Sequence, residues 1–320
     1  METNSLVSVI IPYYNRPKKF ERCLDSVFAQ TYSNIEVIVV DDCSEVLLSV
    51  ERVDVIYIRN KKNSGPGYSR NQGLAIAKGD FVAFLDCDDY WHPEFLEKAL
   101  KPFSEQKEIV MVYAQGIEID VNEKEIGTRR GNTKFVKHIL PYVLLKARPW
   151  GTGGCLWDCH KINGLQWLNN RSWEDYAFDI TVAIQHNRIV GLEEALVYYD
   201  SSGADKLSGQ GETKMIGEKL KSFQIISEAL FNSNFKTDER VSRGVTSHII
   251  SNMISVMSCE NIDKKLVKLL FSELRKWKGK RFYAYVVFVT KLPLSNALPK
   301  LASLKTKVLS GKNFYQSSSE

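Results

Sequence analysis

The chain has no glycine-rich phosphate loop. A dinucleotide-binding turn needs Gly-x-Gly-x-x-Gly after its first strand, yet PYYNRP (12–17) follows the first apolar run and holds no glycine. Gly-x-x-x-x-Gly-Lys-Ser/Thr occurs nowhere, so the two commonest backbone cradles for phosphate are excluded. Paired cysteines are missing too. Six cysteines are scattered without a Cys-x-x-Cys, a usage that predicts reduced thiols and a cytoplasmic setting. Cys155, Cys159 and His160 are neighbours, but no fourth ligand follows at zinc-like spacing, so zinc is not expected there. No apolar run approaches the roughly 18 residues that signal a bilayer span. The longest, residues 282–289, suits a buried strand or short helix. Residues 1–6 show no basic segment leading into an apolar one, so no secretory leader is expected there.

What is present is an ordered series of apolar runs that end in acids. The hydrophobic fraction, 44% of 320 residues, is enough for a sizeable core. The segment GDFVAFLDCDDYW (79–91) organises the first half. Residues 81–85 suit a strand buried on both faces of a parallel sheet. Three carboxylates in the next four residues, Asp86, Asp88 and Asp89, cannot continue that core, because unpaired buried charge is very costly. They belong just past the strand's end, where a hard divalent cation would offset their repulsion or where they would form a solvated turn. Pro93 then starts a helix with Phe95, Leu96, Ala99, Leu100 and Phe103 on one face.

The same pattern precedes it. Residues 7–11 and 35–40 read as buried strands, the first ending at Pro12 and Tyr14 and the second at Asp41 and Asp42. A helix from Pro17 carries Phe20, Cys23, Leu24, Val27 and Phe28 at helical spacing. Residues 53–58 and 109–114 are further strands, and a helix through Arg70 closes at Gly79. Alternating strands and helices predict an α/β fold with an open, mostly parallel sheet flanked by helices. Ligands in such sheets bind at the strands' carboxyl ends, where these polar residues collect. Without a glycine loop, this points to a nucleoside diphosphate held through an acid-bound divalent metal.

These residues carry a family resemblance. VSVIIPYYNRPKKFERCLDSVFAQTYSNIEVIVVDDCS (7–44) followed by NSGPGYSRNQGLAIAKGDFVAFLDCDD (63–89) resembles the nucleotide-sugar half of a family 2 glycosyltransferase with the GT-A fold, of bacterial surface-polysaccharide type. The resemblance covers about residues 5–205, and ordered motifs at family spacing are more specific than one Asp-x-Asp. It implies that Pro12, Tyr14 and Asp42, with Asp41 beside it, hold the nucleoside, and that Arg70 lies near the diphosphate or base. Asp86 and Asp88 become the Asp-x-Asp motif binding Mn2+ or Mg2+, with Asp88 the direct ligand. Glu174-Asp175 matches the family's acid pair, with Asp175 as catalytic base, Glu174 orienting the acceptor or loop, and Trp173 offering a flat face to a sugar. The competing reading of that stretch is a Ser172 helix cap with acids favouring the helix dipole. Asp179, one turn on, is the other candidate base.

The glycine-rich WGTGGC (150–155) is either a turn or a close backbone approach to a ligand, and in the family this region borders the acceptor. Many relatives carry an Arg and a His in the loop after residue 199. Here Asp200, Asp205, Lys206 and Ser208 stand instead, which leaves the remaining metal ligands undefined.

From residue 211 the pattern is helical. Residues 263–312 hold 13 Lys plus Arg against two Asp plus Glu, a local charge of +11, so the rest of the chain carries −6 of the net +5. Lysines punctuate Leu292, Leu294, Leu298, Leu301 and Leu304 there. An anionic membrane surface is one expected partner of this tail and an ordinary solvated basic face the other reading; no nucleic-acid module is expected. The expected division is a catalytic domain over 1–210 and a helical region over 211–320. The expected reaction is inverting transfer of a hexose or N-acetylhexosamine from a UDP-sugar to a hydroxyl of a growing, lipid-linked surface glycan, at the inner face of the cytoplasmic membrane. The rival is a non-catalytic sugar-nucleotide or glycan-binding module, against which the joint presence of both acid motifs argues.

Overall fold

The computed structural model describes residues 4–48, 54–128, 135–202, 212–258 and 264–311. In chain order its elements are β1 (Val7–Tyr13), α1 (Pro17–Phe28), β2 (Ile35–Asp41), β3 (Val55–Arg59), α2 (Pro66–Leu74), β4 (Phe81–Phe84), β5 (Tyr90–Trp91), α3 (Phe95–Glu105), β6 (Met111–Ile119) and β7 (Glu125–Thr128). Then come α4 (Tyr142–Leu145), β8 (Cys155–Asp158), α5 (Cys159–Ile162), α6 (Glu174–Gln185), β9 (Ile189–Asp200), α7 (Glu212–Phe231), α8 (Glu239–Met257), α9 (Lys264–Thr290) and α10 (Leu294–Ser310). They form two units, residues 1–139 with 148–207 and residues 140–147 with 208–320.

The first unit is built on a nine-stranded sheet in the order β3-β2-β1-β4-β8-β6-β9-β5, with β7 attached to β6. All seven residues of β1 are buried between its parallel neighbours β2 and β4. Each such Val or Ile contributes about 1.5–3 kcal/mol by leaving water. Phe20, Cys23, Leu24 and Val27 line the buried face of α1, as their spacing predicts. Helix α2 comes close to the sheet at Gly73, where a Cβ would lie 2.5 Å from Ile10 Cγ2.

The sheet is mixed rather than mostly parallel. Pairs β1–β2, β2–β3, β1–β4 and β6–β9 are parallel, while β4–β8, β6–β8, β6–β7 and β5–β9 are antiparallel. The parallel expectation holds where α1 and α2 provide crossovers. It fails at β8, which is antiparallel to both neighbours and enters from a segment seventy residues later; nothing within a strand encodes its partner's direction.

Two local expectations change, and the polar stretch after residue 118 takes up a hairpin. Helix α2 ends at Leu74, so Gly79 is no helix cap; instead it lies against Ser8, whose Oγ accepts from its N–H at 2.9 Å. Helix α3 starts at Phe95 with Glu94 as its cap residue, two positions after Pro93. Residue 118 onward forms the β6–β7 hairpin as far as Thr128.

The second unit is helical. Gly244 of α8 sits where a Cβ would lie 2.5 Å from Leu144 Cβ, so α4 belongs with these helices. The boundary expected at 210/211 had left α4 with the sheet. Trp277 Nε1 donates to Ser227 Oγ at 2.8 Å, and Ser227 in turn bonds the buried Glu273. Helix α9 bends at Gly279, whose φ is 76°. Of the apolar residues of the tail, Leu301 and Leu304 are core, while Leu294 and Phe288 remain exposed. Among the described residues no helix is long and apolar enough to cross a membrane.

Candidate active site

The carboxyl ends of β1, β2 and β4 lie side by side because all three strands run parallel. Tyr14 emerges there, 41% exposed. Pro12 does not: it is buried within β1 opposite Val40, so its side chain is core rather than a nucleotide contact. Asp41 needs a similar correction. It is 0% exposed, and its carboxylate accepts from Ser44 N–H and Tyr57 Oη, each at 2.8 Å, with Arg59 nearby at 3.6 Å. It anchors its own loop and offers nothing to a ligand. Asp42 accepts from Asn60 Nδ2 at 2.9 Å, Ser64 N–H at 2.8 Å and Gly65 N–H at 2.7 Å. Its present work is to shape the 60–65 loop that leads into α2.

The Asp-x-Asp acids follow β4. Asp86 Oδ1 accepts from Arg70 Nη2 at 2.6 Å. Arg70 is buried on α2 with its guanidinium carbon 4.4 Å from the Trp167 ring centre, and its Nη1 lies 3.5 Å from Glu174 Oε1. Asp88 pairs with Arg16, both partly exposed at 22% and 28%. Burial and the neighbouring Asp86 push the Asp88 carboxyl up, against Arg16 and Lys19, which pull it down. Asp89 turns inward and accepts from Asp200 N–H at 3.1 Å. Asp200, at the end of β9, is held by Lys19 and Arg22, each at 3.0 Å. Burial alone would raise its carboxyl, yet bonds from Ser202, Lys19 and Arg22 hold it at about 2. It is therefore committed to α1. Asp205, Lys206 and Ser208 lie outside the described residues.

Mn2+ or Mg2+ fits this donor set. Asp86 and Asp88 supply hard carboxylate oxygens that repel each other, and the described residues contain no group of three or more potential ligands. Small hard cations take one or two carboxylates and complete their shell with water and substrate phosphate.

The second acid cluster opens α6. Its cap residue is Trp173, in the left-handed region at φ 63°, with no side-chain cap bond; Ser172 does not fill that role. A bulky residue there carries strain, and Asn15 and Cys43, also at positive φ, flank the ends of β1 and β2. The Trp173 ring stacks on Tyr176 at 5.2 Å. Glu174 is 14% exposed at its side chain and faces Arg70; burial, then the charge of Asp175, pushes its carboxyl up to about 7. Asp175, 29% exposed, pairs with Arg148 through Oδ2, and its Oδ1 accepts from Tyr176 N–H at 2.8 Å. Asp179 is fully buried, bound by Trp150 Nε1 at 2.8 Å and Arg148 Nε at 2.8 Å, and burial raises it to about 6. No acceptor could reach it, which removes it as a base.

The glycine-rich stretch also resolves. Gly151 and Gly154 make room for the Tyr199 ring: a Cβ on either would lie 2.5 or 2.8 Å from its hydroxyl. The close approach there is to the chain's own tyrosine. Cys155 is buried in β8 with its Sγ directed at Gly151 O, while Cys159 and His160 belong to α5. Arg16, Arg22 and Arg148 were missed from the sequence. Arg16 lies inside PYYNRP and could have been found there; Arg148 has no local signal, since its partners are 27 and 31 residues away.

Residues 8–162 match the model of Glycosyl transferase family 2. The chain carries a family 2 glycosyl transferase domain. An uncharacterized glycosyltransferase of Nostoc sp. is 31% identical over 213 residues, 62% of this chain and 66% of that one. The putative teichuronic acid biosynthesis glycosyltransferase TuaG of Bacillus subtilis is 42% identical over 105 residues, 30% of this chain and 41% of that one. This chain thus spans two thirds or less of the length of these relatives. Among solved structures, S. aureus TarS 1-349 in complex with UDP-GlcNAc superposes with a TM-score of 0.64 over 95% of this chain and 88% of that one, at 19% identity. That likeness gives the fold alone: a mixed sheet flanked by helices, followed by a helical C-terminal region.

Proposed function

We propose that this family 2 glycosyl transferase moves one hexose or N-acetylhexosamine from a UDP-sugar to a hydroxyl of a growing surface glycan, with inversion. The observation that carries the reading is Arg70, which touches Asp86 and Glu174 at once and so ties the sheet-end acids to the α6 acids. A nucleotide-sugar needs both sides: one for its diphosphate, one for the incoming hydroxyl. TarS has been solved with UDP-GlcNAc and TuaG is named for teichuronic acid synthesis, which supports a UDP-sugar donor and a glycan acceptor here.

Asp88 and Asp86 would hold Mn2+ or Mg2+, which when bound supplies positive charge to the leaving diphosphate. Tyr14 would border the nucleoside, and Asp42 would keep the 60–65 loop in shape beneath it. Arg70 would lend its guanidinium to the diphosphate side while keeping Glu174 in place. Asp175 accepts the acceptor's hydroxyl proton as the oxygen attacks the anomeric carbon from the face opposite UDP. That single displacement inverts the anomeric centre.

The test is a panel of UDP-sugars with Mn2+ or Mg2+ and synthetic lipid-diphosphate glycans. The expected outcome is UDP release, abolished by EDTA, with a product of inverted configuration by NMR. Tight UDP-sugar binding with no release would favour the non-catalytic module, and a retained configuration would overturn the mechanism. An anionic membrane is the proposed setting for a lipid-linked acceptor. It rests on the +11 of residues 263–312 and the exposed Phe288 and Leu294, at about 1 kcal/mol per well-placed basic residue. The full chain should sediment with phosphatidylglycerol vesicles less as salt rises, and a chain ending at residue 281 should sediment less at every salt concentration.

A further inference from the structure

Arg148 is 2% exposed, and a buried guanidinium requires compensation. Asp179 supplies it. The two are both buried, Nε to Oδ2 at 2.8 Å, and Trp150 Nε1 donates to the same oxygen. The guanidinium carbon also lies 5.7 Å from the Tyr176 ring centre and 6.0 Å from that of Trp150, so aromatic faces fix its plane. The charge is thus neutralised by Asp179, and the guanidinium lies between the two rings.

Its fork nevertheless extends one nitrogen further. Nη1 grips Oδ2 of Asp175, four residues before Asp179 on the same face of α6. An ionised carboxylate offers about four lone-pair directions. Arg148 takes one on Oδ2 and Tyr176 N–H takes one on Oδ1, and the partly exposed remainder is left for an incoming proton. A half-exposed aspartate at the first turn of a helix otherwise samples several rotamers, each aiming its free lone pair elsewhere.

We propose that Arg148 is a positioning residue: anchored by Asp179 and Trp150, it locks the Asp175 carboxylate in the one rotamer that can take the acceptor's proton. This rests on Asp175 being the base. A purely structural Arg148 would neutralise Asp179 and nothing more, and the difference is measurable.

The experiment is a double-mutant cycle on the full chain with Arg148→Lys, Asp175→Asn and both together. The readouts are kcat and KM for the UDP-sugar turned over fastest by the parent, UDP affinity by titration, and the thermal melt. Asp175→Asn is expected to lose about 10²–10⁴-fold in kcat. Lysine keeps the charge beside Asp179 but cannot reach both acids. Arg148→Lys is expected to lose about 10–100-fold in kcat, with KM and UDP affinity changed by less than about twofold, because only the aim of the base is disturbed. On the Asp175→Asn background the same change should cost less than about twofold, since the residue it serves is already gone. An equal loss on both backgrounds, or a loss carried by KM and UDP affinity, overturns the positioning role. Near-normal kcat in Asp175→Asn overturns the assignment of the base instead. Should Arg148→Lys melt below the assay temperature, Asp179→Asn takes its place: it keeps an acceptor for Trp150 and withdraws the anchoring charge. The same non-additivity with Asp175→Asn is expected of it, and additivity overturns the role.

Discussion

The two acid clusters of the first unit are built in opposite ways. At residues 86–89 the acids are reached from separate elements: Asp88 by Arg16, partly exposed and just before α1, and Asp86 by Arg70, buried on α2. At residues 174–179 a buried arginine, Arg148, holds Asp175 and Asp179 of one helix, while Glu174 faces Arg70. Partly exposed ion pairs contribute little and exchange partners easily. A buried pair is costly to break and keeps its geometry. At the first cluster the Asp88–Arg16 pair is therefore suited to trading a protein cation for a metal and a diphosphate. The second is suited to holding one carboxylate still. Binding wants exchangeable charge; proton transfer wants a fixed one.

The sharpest way to break this contrast is at Asp88. Asp88→Ala removes an oxygen donor from the exchangeable cluster. Transfer should fall by about 10³-fold, the scale of losing a preorganised charge-stabilising group. The melting temperature should stay close to that of the parent, because the lost partner, Arg16, can return to water. Rate and melt measured on one preparation check this. Unchanged turnover removes Asp88 from the site, and a collapse in stability would make the first cluster as structural as the second.

Asp179→Ala probes the other side. Here the partner cannot return to water: Arg148 stays buried with its anchor removed. The expected cost is about 3–5 kcal/mol of stability, read from urea unfolding. A change below about 1 kcal/mol, the range of an exposed pair, would erase the distinction between the clusters.

The two clusters also differ in how legible they were. The strands, the helices of the first hundred residues and the acids at 41–42 and 86–89 are local patterns, and each could be read from a dozen neighbouring residues. What each acid does was less legible. Asp41 and Asp42 are adjacent and look alike, yet Asp41 is sealed by Tyr57 and Ser44 while Asp42 ties down the 60–65 loop. Whether a strand-end acid faces the cleft or its own loop depends on residues that come close only after folding. Pro12 is core for the same reason. In the second half the missing information is longer-ranged still. The antiparallel entry of β8 joins segments some seventy residues apart, and Arg148 is defined by partners one helix away. Glycines 151 and 154 signal a close approach correctly, but only the structure names Tyr199 as what approaches.

The smallest effect tests the exchange itself. Arg16 and Asp88 are paired and both partly exposed, so Arg16 competes for the carboxylate that a divalent cation would use. Lys19 acts on the same carboxyl, though it is directly paired with Asp200. Arg16→Ala removes the nearer competitor. Stability should change by less than about 1 kcal/mol, as for other exposed pairs. Mn2+ affinity, measured by spin-resonance titration of the full chain without nucleotide, should rise by up to about fivefold, which is what relief from a pair of that strength allows. The sign is the informative part. Tighter Mn2+ binding means that Arg16 is a placeholder that the metal displaces. Weaker binding means that Arg16 holds the Asp88 carboxylate in its ligating orientation, as Arg148 does for Asp175, and the two clusters would then share one design.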